Sequence, residues 1–307
     1  MTKDPTSITL VASGGAGKNV AATAVVRCLA EKHPGLPIHV VASHPEVWVS
    51  NPRLAGLFAF GRTEQYHAMV VQGQRTRVIA AEPYTHTDFV YGERHLIDVW
   101  CEQAGVAWDR RPGELYLSAD ETETAREFVA AQPKPVVLLQ PFGGSAPPLE
   151  TGRAGHVAHQ AGLHRASFPL DLAQGIVDAL APRCTVLQVR LPEQPVLNGA
   201  VSVTDRLRIL AALIVASPRR LFIDSYLQHA AAALGEPAVV MWGGTSPSVF
   251  GYPLHRNLTR SACPTPGCGR PLHHLFDMLA TGANWTCPWG DACLGYTVDE
   301  MLAALEG

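Results

Sequence analysis

The chemistry-bearing residues of this chain fall into three groups, the densest of them between Ile223 and Pro247. Asp224 and Ser225 stand where the apolar run Leu221 to Ile223 gives way to a helical pattern. A side chain of that type caps the helix, and the free backbone N–H groups at its positive end can bind a phosphate. Tyr226 and His229 lie in the first turn of that helix, and Gly244, Thr245 and Ser246 make a second small polar turn after the next strand. Ligands of open α/β sheets bind beyond the carboxyl ends of adjacent strands, so two such turns in succession predict a binding crevice. The competing reading is a plain helix cap with His229 in a packed core.

The second group is the turn at Gly14, Gly15, Gly17 and Lys18. It invites comparison with a P-loop, Gly-x-x-x-x-Gly-Lys-Ser/Thr. However, Ala12 replaces the first glycine of that motif and Asn19 its Mg²⁺-binding hydroxyl. A kinase or ATPase is therefore a rival reading that lacks two of its residues. The third group is Cys263, Cys268, Cys287 and Cys293, thiolates on short Pro/Gly-rich loops. That pattern suits tetrahedral coordination of a structural zinc or iron with no position left for substrate. Cys28, Cys101 and Cys184 read as buried apolar residues.

The elements that must position these groups alternate in type. Ile8 to Val11 reads as a strand, Asn19 to Lys32 as a helix and Ile38 to Val41 as a strand, the order of a parallel α/β sheet. Residues 50–95 carry no clear periodicity, and Glu93 to Gly105 reads as a helix with Leu96, Ile97 and Trp100 on one face. The prolines at 133 and 135 mark a linker. Beyond it, Val136–Leu139, Thr185–Val189, Leu221–Ile223 and Ala238–Met241 read as strands, with helices over 169–180, 204–215 and 228–234 between them. Two Rossmann-like halves follow, residues 1–132 and 133–307, the second including the cysteine segment 263–293.

Composition limits the function. The chain has 307 residues, 24 Lys+Arg and 27 Asp+Glu. A formal charge of −3 lacks the basic excess that sequence-independent nucleic-acid binding needs. No apolar run approaches the roughly 18–20 residues of a membrane span. The opening residues lack a signal-peptide pattern, so the expectation is a cytoplasmic protein in a reducing compartment.

Residues 204–257 resemble the donor-binding region of glycosyltransferase family 9, the ADP-heptose heptosyltransferase-like enzymes, whose pattern runs Asp-Ser/Thr-Gly-x-x-His-x-Ala-Ala-Ala-Leu-Gly and then Gly-x-Thr-x-Pro. Gly14 to Thr23, with Arg27, Leu29 and Pro34, is similar to the family's opening turn and helix. Weaker similarity includes Gln140 to Gly144 and Ser167 to Pro169. The resemblance implies a GT-B fold, two Rossmann-like domains facing a cleft, and transfer of a sugar from a nucleotide-diphosphate-sugar to an acceptor hydroxyl. It implies that Asp224 contacts the sugar and Ser225 the diphosphate, that His229 supports the loop, and that Thr245 and Ser246 lie near the donor. Iron in a four-cysteine finger is known among bacterial members.

Three positions depart from the family pattern. Lys18 stands where the family has its catalytic carboxylate, and an ammonium cannot accept the acceptor's proton. His86, Asp88 and Glu93 are candidate replacements, of which Asp88 is taken with Lys18 and Asp224 as the catalytic set. Tyr226 replaces a glycine, placing a ring where the backbone approaches the diphosphate. The lysine that precedes Trp-Pro in the family is absent before Phe168-Pro169, and Arg165 is expected to take its phosphate contact. No Asp-x-Asp signature stands at a strand end, so leaving-group charge falls to helix N-termini, Lys18, Arg165 or the pair Arg219 and Arg220. Lipopolysaccharide, a protein hydroxyl or a modified phage DNA base are the acceptors considered, nucleic acid entering only as a specific acceptor. A non-catalytic nucleotide-sugar or glycan binder is the alternative function.

Overall fold

The computed structural model describes residues 4–72, 75–143, 167–260 and 292–306. It is an α/β structure built on two parallel sheets. The first has four strands in the order β3-β2-β1-β4, with β1 at Ser7–Ala12, β2 at Ile38–Ala42, β3 at Gly56–Ala59 and β4 at Thr76–Ile79. The second has six in the order β10-β9-β8-β5-β6-β7. These are β5 Val136–Leu139, β6 Thr185–Val189, β7 Val201–Val203, β8 Arg219–Ile223, β9 Val239–Met241 and β10 Arg256–Leu258. Every pairing is parallel, with Ile8 beside Ile38 and Leu221 beside Val239. All carboxyl ends of a sheet therefore lie along one edge.

Seven longer helices cover the sheets among the described residues: α1 Ala16–Lys32, α2 Leu96–Ala104, α3 Ala119–Ala130, α4 Leu170–Leu180, α5 Leu207–Ala216, α6 Tyr226–Ala233 and α7 Val298–Glu306. Residues 18 to 29 of α1 are buried on every face. A helix buried on every face must be enclosed, and its polar Lys18, Asn19, Thr23 and Arg27 are each hydrogen-bonded there. This one is pressed between its own sheet and α6 of the second half.

Period-2 alternation divides the second sheet's contacts. Val136 and Leu138 join a core that also holds Leu10, Val25, Leu227 and Trp242, and so runs through both halves. Val137 and Leu139 face the other way, onto Ile176, Val177 and Met301 under α4 and α7. The halves share one apolar interior.

Several elements carry little sequence signal. Strands β3 and β4 lie in the stretch without periodicity, and β7 and β10 have three residues each. Helix α3 opens on a capping box, Ser118 Oγ accepting from the Glu121 N–H while Glu121 accepts from the Ser118 N–H. It packs along α5, where Arg208 pairs with Glu121 at 2.5 Å.

Candidate functional site

Both sheets reverse strand order at one point, and these two points meet. In the first sheet β1 and β4 are adjacent although far apart in sequence, and in the second β5 and β8 are. Such switch points open a crevice at the carboxyl end.

On the first-half side, β1 runs through the glycine turn into α1. Gly14 takes φ +91°, a conformation open to glycine, and its carbonyl accepts from Ser43 Oγ at 2.6 Å. Lys18 leaves the first turn of α1 with 3% of its side chain exposed and reaches Glu82, three residues beyond Ile79 at the end of β4. Its Nζ donates to Glu82 Oε1 at 2.7 Å and Oε2 at 2.6 Å. The ammonium also lies 4.7 Å from the Tyr84 ring centre and 5.4 Å from Trp100. Burying an ammonium costs several kcal/mol unless it is paired, and here a bidentate carboxylate and two aromatic faces offset that cost. Glu82 Oε1 additionally accepts from the Tyr84 N–H at 3.2 Å.

On the second-half side burial disfavours the charged form of each titratable group. Burial pushes the Asp224 carboxyl up to about 6, against the neighbouring Thr245 and Gln228 donors. Burial, with His95 and His255 nearby, pushes His229 down to about 3. Its Nδ1 is hydrogen-bonded to the Tyr252 hydroxyl at 2.8 Å, and burial and Asp224 keep that phenol above its ordinary value. Its Nε2 faces Asp224 Oδ1 at 3.9 Å. His95, which the first half brings to this face from the N-cap of α2, is also neutral, lowered by burial to about 4; its Nδ1 accepts from the Ile97 N–H and its Nε2 donates to the Gly251 carbonyl at 3.1 Å.

Gln140, just past β5, bridges this switch point by donating to Ser225 Oγ at 3.1 Å. Its Oε1 is buried and has no hydrogen-bond partner among the described residues. The two sides touch at Gly17, where a Cβ would come within 2.7 Å of His229 Cδ2. Tyr84 and Phe89 pack edge-on against Phe250, in the turn of helix Pro247–Phe250 that Ser246 caps.

Most of the residues expected from the sequence gather here. Gly15 is exposed on the turn, Gly17 forms the contact, and Asp224, Ser225, His229, Gly244, Thr245 and Ser246 lie on the opposing strand ends. Tyr226 does not: it is 8% exposed and its hydroxyl donates to the Leu207 carbonyl at 2.9 Å, so the ring packs under α5 and leaves the helix N-terminus clear. Asp88 is taken up elsewhere, its carboxylate 3.1 Å from Arg94. Arg220 is also not a site cation. It sits within β8 and donates to the Ile214 and Pro237 carbonyls and to Glu236. The P-loop comparison fails on the same grounds, since Glu82 holds the Lys18 ammonium and Asn19 is buried, donating to the Gly15 carbonyl and accepting from Trp48.

Arg165, Cys263, Cys268 and Cys287 lie outside the described residues, while Cys293 is buried in the core beneath α7. Among the described residues no group of three or more His, Cys, Asp or Glu side chains is placed to hold a metal ion. Nor is any described helix long and apolar enough to cross a membrane. The sequence reading missed Glu82, Tyr84, His95 and Tyr252. Glu82-Pro83 after the apolar piece at 78–80 was the available signal for the first, since the end of a strand in this fold is where a ligand-facing residue sits.

No protein-family model and no curated protein sequence matches the chain. Solved structures do match in fold. A glycosyl transferase family 9 protein from Veillonella parvula superposes with TM-score 0.65 at 14% identity, over 98% of this chain and 96% of that one. The iron-containing dodecameric glycosyltransferase TibC from enterotoxigenic E. coli gives 0.67 at 14%, over 99% of this chain and 79% of TibC. TibC has also been solved in complex with ADP-D-beta-D-heptose. The E. coli ADP-heptose LPS heptosyltransferase II gives 0.59 at 14%, over 90% and 99%. The chain thus has the GT-B-like fold of these glycosyltransferases.

Proposed function

We propose that the chain is a glycosyltransferase that moves a sugar from a nucleoside-diphosphate sugar to an acceptor hydroxyl at the junction of its two switch points. The observation that carries this reading is the meeting of those points at Gly17 and His229, in a fold shared over nearly the whole chain with solved glycosyltransferases. Residues 133–307, with α3 packed on them, hold the donor, and residues 1–132 the acceptor.

The donor's diphosphate sits at the N-terminus of α6. There Ser225 Oγ and the free N–H groups stabilise the negative charge that grows on the leaving group. Asp224 accepts a sugar hydroxyl, and Gln140 Oε1 supplies a second acceptor, which accounts for its lack of a partner. Thr245 and Ser246 flank the donor. Arg165 adds a phosphate contact. Asp88 keeps its place in the Arg94 network and has no part in the chemistry.

By likeness to TibC the donor is an ADP-linked heptose, and the acceptor is a lipopolysaccharide, protein or modified nucleobase hydroxyl. Cys263, Cys268, Cys287 and Cys293 hold a structural zinc or iron, which elemental analysis of the purified chain would detect at one atom per chain.

The test is a thermal-shift and calorimetric panel of ADP, GDP and UDP with their sugars, ADP-D-beta-D-heptose included. A donor at 100 times its Kd stabilises by about 2.7 kcal/mol. Binding with release of the nucleoside diphosphate supports transfer. Binding without consumption points to a nucleotide-sugar binder, and no binding at all defeats the reading.

A further inference from the structure

Transfer requires the acceptor hydroxyl to lose its proton, and few groups at the junction have a lone pair to take it. Lys18 has none while it is an ammonium. Both nitrogens of His95 are engaged, one by the Ile97 N–H and one by the Gly251 carbonyl. His229 is 5% exposed, and its Nδ1 is engaged by the Tyr252 hydroxyl. Asp224 is 11% exposed and belongs to the donor side. The Asp88 carboxylate is tied to Arg94.

Glu82 differs from all of these. Its side chain is 43% exposed, the most open of these groups; Lys18 donates to both of its oxygens and the Tyr84 N–H to Oε1, so the lone pair left to take a proton is on Oε2. It lies against the donor crevice through Tyr84, whose ring stands 6.2 Å from Phe250 in the turn that follows Thr245 and Ser246. Lys18, buried and bidentate on the same carboxylate, removes its rotational freedom.

We propose that Glu82 is the catalytic base of the transfer and that Lys18 is the residue that positions it. This rests on the glycosyltransferase reading above. The acceptor O–H proton passes to Glu82 as that oxygen forms its bond to the sugar's anomeric carbon. The bond from that carbon to the phosphate oxygen breaks, its electron pair leaves on the nucleoside diphosphate, and the proton then passes to water at the open edge of the carboxyl group. Lys18, which replaces an acidic residue in the turn, thereby becomes the holder of a carboxylate supplied from β4.

The experiment uses the full chain with ADP-D-beta-D-heptose, UDP-glucose and GDP-mannose as probes and water as the acceptor. Nucleoside diphosphate release gives the rate and calorimetry gives the affinity. For the probe that wild type consumes, Glu82→Gln is expected to keep its Kd within about twofold and to lose about 100-fold or more in rate. Glu82→Asp is expected to recover part of that rate, and formate to restore part of it to Glu82→Ala, which a purely structural role would not allow. Lys18→Met is expected to lower kcat about tenfold with the donor KM unchanged.

A Glu82→Gln rate within about threefold of wild type overturns the assignment and leaves the transferase reading standing. So does a Glu82→Gln that loses donor affinity while Glu82→Ala shows no rescue by formate. A Lys18→Met that raises KM at unchanged kcat removes the positioning role. A wild-type chain that neither binds nor consumes any probe sinks the transferase reading itself, and with it the assignment.

Discussion

The two switch points sit at equivalent places in the two sheets and solve the same problem in opposite ways. Each must bury polar groups where the strand ends meet the core. On the first-half side the charges are kept and paired, Lys18 against Glu82 with Tyr84 and Trp100 around the ammonium. On the second-half side burial works against charge, with Asp224 raised to about 6 and His229 lowered to about 3, and the first half's His95, lowered to about 4, lies near that histidine. The first arrangement depends on a partner, the second on pH. The two sides should therefore fail under different perturbations.

Acidification gives the largest expected effect, and it acts on the buried histidines around His229. As pH falls through about 6.5, the unfolded chain protonates its histidines while His229 and His95 in the native state stay neutral, so stability present above that pH is lost. Buried His255, also lowered, adds to the loss. Asp224 works against it, because the native carboxyl binds its proton from about 6 downward and the unfolded one only near 4. The net expectation is a loss of about 3 kcal/mol between pH 7 and about 4.5, at about 1.4 kcal/mol per unit for each proton of difference. Urea midpoints across that range check it, and a flat profile would erase the contrast between the two sides.

Removing the partner tests the other side. Glu82→Ala leaves an ammonium that is 3% exposed without its carboxylate and should cost about 2–3 kcal/mol, moderated by water at the exposed edge of that site. Combining it with Lys18→Met should recover about 1 kcal/mol or more in a double-mutant cycle, whereas additivity would mean that the pair does not carry the site.

Gly17→Ala probes the contact between them. A Cβ 2.7 Å from the His229 ring must displace a packed side chain, at about 1–2 kcal/mol, and His229→Ala in the same chain should relieve that cost. The smallest effect is expected away from both points. Ser118→Ala removes the capping box of α3 and should cost about 1 kcal/mol in thermal unfolding without altering donor binding.

How much of this was legible in the sequence follows from how local each feature is. The strand from Val136 to Leu139 is a continuous apolar run and that from Ser7 to Ala12 is mostly apolar, and Asp224, Ser225 and His229 lie within a few residues of one another. Glu82 was out of reach because it meets Lys18 across 64 residues of sequence, through a β4 of four residues that pairs beside β1. Helix α3 was missed because among its described residues only Ala125 is fully buried, its place being set by packing on α5. Tyr226 was misplaced for the same reason. Its ring is an obstacle to a diphosphate only if it points outward, and the Leu207 carbonyl that turns it inward belongs to another helix.

If both strand-end turns serve one donor-and-acceptor junction, hydrogen-exchange mass spectrometry of the full chain will show ADP slowing exchange across residues 224–246 and ADP-D-beta-D-heptose extending that protection to residues 14–18 and 80–84. Saturating nucleotide sugar that leaves exchange unchanged in both regions refutes a shared junction.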